Sequence, residues 1–408
     1  MNQLTPQAQR SLGIAAFFCA TLCFYGWWST APAFNANPFQ DWAVFYTAAT
    51  RYLELGSWQA MVAGWPLAGH PWLYPPSFLL LLWPFGFLSW GFGCVAFLLA
   101  TFLAFVAALW SGAGERRVIH VLAVFLSPAA MINFYLGQNA FLSAALLGGG
   151  AMLLRRRPIV AGILFGLLAY KPQLALLVPV ALIAARCWKT LASAAATGAA
   201  LMLISLLIFG ANAWHSWFAL TAGTGGLAPA VLKGRLAGVS VFACATLLGA
   251  TPILATALQA LATISAAAAV YASWRSPMCD ELRLSVLFAA IVLAAPHVTG
   301  YDSLLLAFAA SLLFVHGLEH GFHRGEVIIA LLAWAMPLIT PPVVYPIGRL
   351  APLFVALAIA APLVRGLRFA AGASAPNARI FADDIPAVDA LGKAMRRGTA
   401  EQAFASDD

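Results

Sequence analysis

Charged side chains are scarce in this sequence: only 9% of its 408 residues are Asp, Glu, Lys or Arg, while 62% are apolar. Soluble globular domains carry about a quarter of charged residues, so the composition excludes that class and predicts an all-α polytopic membrane protein. The few charges are also unevenly distributed, because 12 of the 36 fall within residues 365–408. We therefore predict a transmembrane domain over residues 1–364 and a cytosolic, disordered tail over residues 365–408.

Cysteines are few as well, and none of the six forms a CxxC pair. We therefore predict no disulfide and no zinc site. The histidines His316, His320 and His323 follow one another at spacings of four and then three residues, which would allow metal binding, but a solvated cytosolic loop is the favoured interpretation. The sequence accordingly predicts a protein without a metal and without a cofactor.

The apolar runs predict about 12 transmembrane helices, since a span needs about 20 apolar residues and fewer where it is broken around a cavity. The candidate spans are residues 12–31, 91–111, 118–134, 139–154, 158–170, 173–186, 190–211, 253–273, 284–296, 302–316, 326–341 and 345–364. The first of these is predicted to be an uncleaved span rather than a signal peptide. Two further apolar stretches, Tyr74–Trp90 and 238–250, do not fit as crossings and are predicted to lie in the outer interface or to re-enter the membrane.

The positive charges orient this arrangement. With both termini in the cytoplasm, 17 of the 22 Lys and Arg residues lie on the cytoplasmic side, as the positive-inside rule requires for a protein of the cell (inner) membrane. The net charge of +8 is thereby explained without a nucleic-acid partner.

Only three carboxylates fall outside or at membrane depth in this topology, namely Asp41, Glu54 and Asp302. Asp41 follows Asn37-Pro38, a cap residue and a first-turn proline, which predicts a place in the first turn of an external helix running to about Leu55. Asp41 is therefore either an external general base or simply a helix-starting acid, and sequence physics leaves both open. Glu54 is the weaker base candidate, because a solvated pair with Arg51 is expected.

Aromatic and amide side chains accompany these acids on the outer side. Tyr46 belongs to an aromatic-rich segment that could line a sugar or lipid site. Tyr74 lies in a stiff proline-rich turn. Gln138 lies in a turn between two spans that places amide donors and acceptors near the membrane surface. Both turns could instead serve only to cap helix ends.

Two polar breaks interrupt apolar runs. Lys171-Pro172 divides residues 158–185 into halves, and a lysine on a span indicates function, with an anion such as a lipid phosphate as its partner. The alternative is that Lys171 snorkels to the outer headgroups. The second break contains His297 and Asp302, which are costly in a membrane unless they face a wet cavity. A structural hydrogen bond between these two residues is the main alternative.

Taken in order, these motifs resemble glycosyltransferase family 87, the DUF2029 family of the GT-C superfamily. The resemblance rests on Asp41 to Tyr46, Tyr74-Pro75-Pro76, Gly137-Gln138-Asn139, Ala161-Gly162 through Lys171-Pro172-Gln173, and Pro296-His297, and it covers about residues 35–305. It implies an inverting hexosyltransferase of mannosyltransferase type, with external interfacial helices in its first outer loop. The implied partners are a polyprenyl-phosphate-sugar donor, a glycan or glycolipid acceptor on the extracytoplasmic side, and membrane lipids.

The resemblance also assigns roles to the candidate residues. It makes Asp41 the catalytic general base and brings Lys171 and His297 near the donor phosphate or the acceptor. Tyr46, Tyr74, Gln138 and Asp302 are predicted to complete the substrate-binding site. The rival class is a secondary transporter or lipid flippase, which usually has paired broken helices in its two halves, and a third interpretation is a non-catalytic assembly subunit. The external loop of about 40 residues after the first span has no counterpart in the second half, which favours an enzyme.

Overall fold

The structure, a computed structural model, describes residues 38–58, 61, 72–112, 117–221, 236, 238–340, 342 and 345–372. Within these residues every regular element is helical, as predicted. The first predicted span, the proposed cap Asn37 and the predicted tail from residue 373 onward lie outside the described residues.

The helices follow the predicted apolar runs. Their bounds are α1 Gln40–Leu55, α2 Pro76–Gly86, α3 Trp90–Gly112, α4 Arg117–Phe125, α5 Pro128–Leu136, α6 Ala140–Leu153, α7 Pro158–Leu167, α8 Pro172–Ala175, α9 Val178–Ala184, α10 Trp188–Phe209, α11 Ala211–Thr221, α12 Val241–Leu247, α13 Pro252–Arg275, α14 Asp280–Ala294, α15 Leu304–His320, α16 Glu326–Ala335 and α17 Ala351–Gly372. Short 3-10 turns precede α8, α15 and α17 and follow α16. Each predicted span within the described residues therefore coincides with a helix or a pair of helices.

Fewer of these helices than predicted are long enough to cross a membrane alone. Five qualify by length and apolar composition, and a sixth arises if α4 and α5, bent by 59° at Ser127, form one broken span. Several other predicted spans are shorter apolar helices, such as α6 and α16. The predicted number of twelve is therefore not confirmed. The stretches Tyr74–Trp90 and 238–250 contain the short helices α2 and α12.

The core of the described bundle is formed by α14 and α15. In the most apolar stretch of the span that contains α15, 89% of the residues are buried, whereas only 6% are buried in the corresponding stretch of α10. Phe288 of α14 stacks on Phe308 of α15 with ring centroids 4.7 Å apart. Gly148 of α6 permits the close approach of Phe308, since a Cβ at this glycine would lie 2.8 Å from the ring. An almost completely buried helix provides a rigid base for the polar residues at its N-terminal end.

Candidate active site

The first turn of α1 carries Asp41, as predicted, but the helix starts later than Asn37-Pro38 suggested. Its N-cap is Phe39 in a left-handed conformation (φ 59°), and no side chain caps it. The reason is a tertiary contact: the backbone N–H of Phe39 donates to the carbonyl of Tyr135 at 2.7 Å. This bond ties the start of α1 to α5. The half-buried Asp41 is thus held beside the C-terminal end of α5.

Gly137 makes the contact between these two helices close. It follows α5 with φ +71°, and its N–H donates to the carbonyls of Asn133 and Phe134. A Cβ at this position would lie 2.5 Å from Cβ of Trp42, the neighbour of Asp41. A glycine is required here both by the left-handed backbone and by the lack of space. The next residue, Gln138, is delivered directly to Asp41.

The side-chain amide of Gln138 has one orientation that satisfies all its neighbours. Its oxygen Oε1 accepts from the backbone N–H of Asn139 at 3.0 Å and from the hydroxyl of Tyr74 at 3.3 Å. Its nitrogen Nε2 then donates to Oδ2 of Asp41 at 2.9 Å. Because a backbone N–H can only donate, the amide nitrogen must face the carboxylate. Tyr74, Gln138 and Asp41 form a directed chain of hydrogen bonds that favours the ionised form of Asp41.

Lys171 lies a short distance away and is not exposed to headgroups. Its ammonium Nζ is 2.6 Å from Oδ1 of Asp302, and both side chains are only 4% exposed. This excludes the snorkelling alternative. The same ammonium lies 5.8 Å from the ring centroid of Tyr74 and 5.2 Å from that of Tyr301, distances at which an aromatic face attracts a cation.

Both carboxylate oxygens of Asp302 are occupied. Oδ2 accepts from the backbone N–H of Thr299 at 3.2 Å and from its hydroxyl at 3.1 Å. Asp302 therefore completes a reciprocal cap on the 3-10 turn Gly300–Ser303 that leads into α15. The structure shows a pairing with Lys171 and Thr299 where the sequence suggested one with His297, which lies half-buried in the loop before that turn.

Tyr74 lies close enough to both acidic residues for their charges to act on its hydroxyl. Burial raises the pKa of its hydroxyl well above the usual value, and the negative charges of Asp302 and Asp41 raise this pKa further. The hydroxyl therefore remains a donor at physiological pH. Its ring is packed against Phe45 and Phe78, with centroids 5.4 and 4.5 Å away.

One predicted site residue has another contact. The hydroxyl of Tyr46 donates to the backbone carbonyl of Leu88 at 2.9 Å and so joins α1 to the segment before α3.

Two buried residues that the sequence did not single out, Tyr170 and Ser143, lie behind the site. Their hydroxyl groups share a hydrogen bond of 2.7 Å. The only sequence signal for Tyr170 is its place directly before Lys171. The amide side chain of Asn139 makes no cap to α6, since Oδ1 of Asn133 accepts from Ala140 instead, at 2.8 Å.

Comparison with known proteins gives one match. Residues 72–296, more than half of the chain, match the family described as glycosyltransferase family 87. Tyr74, Gln138 and Lys171 lie inside the matched range, whereas Asp41 precedes it and Asp302 follows it. No curated protein sequence and no solved structure matches the chain.

Proposed function

Because the chain belongs to glycosyltransferase family 87, we propose that it transfers a sugar, a hexose such as mannose, from a polyprenyl-phosphate donor to a glycan or glycolipid acceptor. In this proposal the protein lies in the cell (inner) membrane with both termini in the cytoplasm, and the reaction occurs on the extracytoplasmic side with inversion. The positive-inside distribution of Lys and Arg supports this orientation. The five to six membrane-length helices support an integral membrane protein.

The observation that carries the mechanism is the different state of the two site acids. Asp302 has one oxygen bound by Lys171 and the other by Thr299, so both of its oxygens already have partners within the protein and its role is structural. Asp41 is half-buried and is oriented by the amide of Gln138. A general base must accept a proton from a substrate group within hydrogen-bonding reach. Asp41 fits this requirement better than Asp302.

The proposed reaction is a single displacement. The acceptor hydroxyl attacks the anomeric carbon while its proton passes to Asp41, and the bond between that carbon and the phosphate oxygen breaks. The polyprenyl phosphate leaves with the electron pair and an added negative charge. Lys171 directs one of its three ammonium protons to Asp302, and in the proposal another meets this developing charge. Tyr74 and His297 would contact the sugar or the phosphate.

The test is transfer by the purified full-length protein in lipid. Radiolabelled polyprenyl-phosphate sugars are supplied with membrane glycolipid acceptors, and labelled product is followed for the wild type, Asp41→Asn and Glu54→Gln. General base catalysis is worth about 10²–10⁴-fold, so Asp41→Asn should lose transfer by about that factor. Glu54→Gln, a matched change of an exposed acid on the same helix, should keep near-wild-type activity. Equal activity of all three proteins would overturn the role of Asp41. Movement of the intact donor across the bilayer without transfer would indicate the flippase alternative.

A further inference from the structure

A cluster of potential metal ligands lies at the end of α15 opposite to Asp302. Cys279, Glu281 and His316 place a thiol sulfur, a carboxylate oxygen and an imidazole nitrogen within 4.8 Å of one another. In the part of the chain that the structure describes, no other group of three or more His, Cys, Asp or Glu side chains converges in this way. The proposed transferase chemistry uses none of these three residues.

The hairpin formed by α14 and α15 explains the convergence. Cys279 is the N-cap of α14, and its carbonyl accepts from the N–H of Arg283. The chain reverses direction between Ala295 and Thr299, so α15 returns antiparallel and its last turns lie beside the start of α14. His316 is consequently placed against Cys279, although the two are 37 positions apart. A motif search along the sequence cannot detect such a pair.

The distances suit a tetrahedral ion. Sγ of Cys279 lies 3.7 Å from Nδ1 of His316. Zinc bonds of about 2.3 Å to sulfur and about 2.0–2.1 Å to nitrogen place two tetrahedral ligands about 3.6 Å apart. The backbone therefore already holds two ligands at the required separation. A carboxylate oxygen of the exposed Glu281 lies within 4.8 Å of both atoms and would supply a third ligand.

Two arginines near the cluster pair with an acid that does not belong to it. Asp280, the acid next to Cys279, is paired with Arg155 at 2.8 Å and with Arg283 at 3.6 Å. Arg155 and Arg283 are thus paired with Asp280, which is not one of the three potential metal ligands. Cys279 and Glu281 are exposed while His316 is buried, so the site is anchored on the protein side and open on the other.

We propose that Cys279, Glu281 and His316 form a binding site for a zinc-type divalent cation, with water in the fourth position. Thiolate, imidazole and carboxylate together are ligands that select zinc over the hard cations magnesium and calcium. The ion would join the start of α14 to the end of α15. Fourteen residues of helical rise separate His316 from Asp302, about 21 Å, so the site is distinct from the proposed active site.

The first experiment measures cobalt and zinc binding by the full-length protein, stripped with chelator and kept reduced with a phosphine. The wild type should bind one Co²⁺ with a sulfur-to-cobalt charge-transfer absorption, and Zn²⁺ should displace it. Loss of groups that merely support a ligand typically costs 10–100-fold in affinity. Cys279→Ser should therefore abolish the absorption and weaken binding by at least about 100-fold, as should His316→Gln. Cys244→Ser, which removes a buried thiol bonded to the carbonyl of Gly348, is the matched control and should bind normally.

A second measurement needs no variant. Added Zn²⁺ should slow maleimide labelling of Cys279 in the wild type, read by mass spectrometry of the peptide, and a chelator should restore it. The proposal is overturned if the wild type gives no charge-transfer absorption, or if Zn²⁺ leaves the labelling rate of Cys279 unchanged. Cys279 and His316 would then form a simple thiol–imidazole hydrogen bond. Neither readout depends on sugar transfer.

Discussion

Gln138 provides a sharp test of the proposed base, because it acts on Asp41 without being a proton acceptor itself. Replacing it by leucine removes the Nε2–H···Oδ2 hydrogen bond of 2.9 Å while keeping a side chain of similar size. A hydrogen bond to a charged group contributes about 1.5–3 kcal/mol. In the wild type this donor stabilises the ionised carboxylate, so its loss favours the protonated form.

The Gln138→Leu variant should have a displaced pH–activity profile. A carboxylate that is protonated more readily stops acting as a base at a higher pH as the solution is acidified. The acidic limb of the kcat/KM profile should therefore move to higher pH. Since about 1.4 kcal/mol corresponds to one pH unit, we expect a displacement of about 1–2 pH units for Gln138→Leu. Activity at alkaline pH should recover toward that of the wild type. Tyr74→Phe removes the hydroxyl that donates to Oε1 of Gln138 at 3.3 Å and so orients its amide. This variant should displace the acidic limb by less than Gln138→Leu does.

The assay is sugar transfer by purified protein across a pH series, with saturation kinetics at each pH. Gln259→Leu is the matched control. That buried glutamine of α13 donates to the carbonyls of Leu293 and Ala294, each at 3.1 Å. It should lower thermal stability without displacing the acidic limb. If Gln138→Leu lost activity equally at every pH, the hydrogen bond to Asp41 would not control proton transfer.

Lys171→Met or Asp302→Leu alone should lower the free energy of unfolding in detergent by about 3–5 kcal/mol, since each leaves a buried charge uncompensated. The double variant should recover most of that loss, and additive losses in denaturant titrations would argue against the ion pair. Cysteines introduced at the exposed positions of Glu54 and Arg156 should react differently with a membrane-impermeant maleimide added to intact cells. Labelling is expected at position 54 and not at 156, and the reverse pattern would invert the topology.

Local patterns predicted the helices well. The helix expected from Asp41 to about Leu55 is α1, and the apolar runs fall on the observed helices. These predictions depend on periodicity and on the chemistry of neighbouring residues, which a sequence displays directly. The number of membrane-length helices was not predicted correctly, and neither was the start of α1, where a backbone bond from Phe39 to Tyr135 replaces the side-chain cap that local rules suggested.

The partners within the site could not be predicted in the same way. Gln138 and Asp41 are 97 positions apart, and Lys171 and Asp302 are 131 apart. Nothing in either local sequence specifies the other, because the pairing is produced by how α1, α5 and the break before α8 pack around the start of α15. The sequence predicted an anion such as a lipid phosphate as the partner of Lys171, but it could not reveal the ion pair with Asp302 of the same chain.

Because Lys171 is paired with Asp302, its ammonium is not an isolated positive charge in the proposed site. Lys171 and Asp302 together are neutral, and each is 4% exposed, so the pair cannot attract a donor phosphate as a free cation would. Its contribution must instead come from fixed geometry, with the ammonium held between Asp302 and the rings of Tyr74 and Tyr301. A preorganised donor of this kind interacts most strongly with charge that develops during the reaction. The same arrangement occupies both oxygens of Asp302, and in the proposed reaction Asp41 accepts the proton of the acceptor hydroxyl.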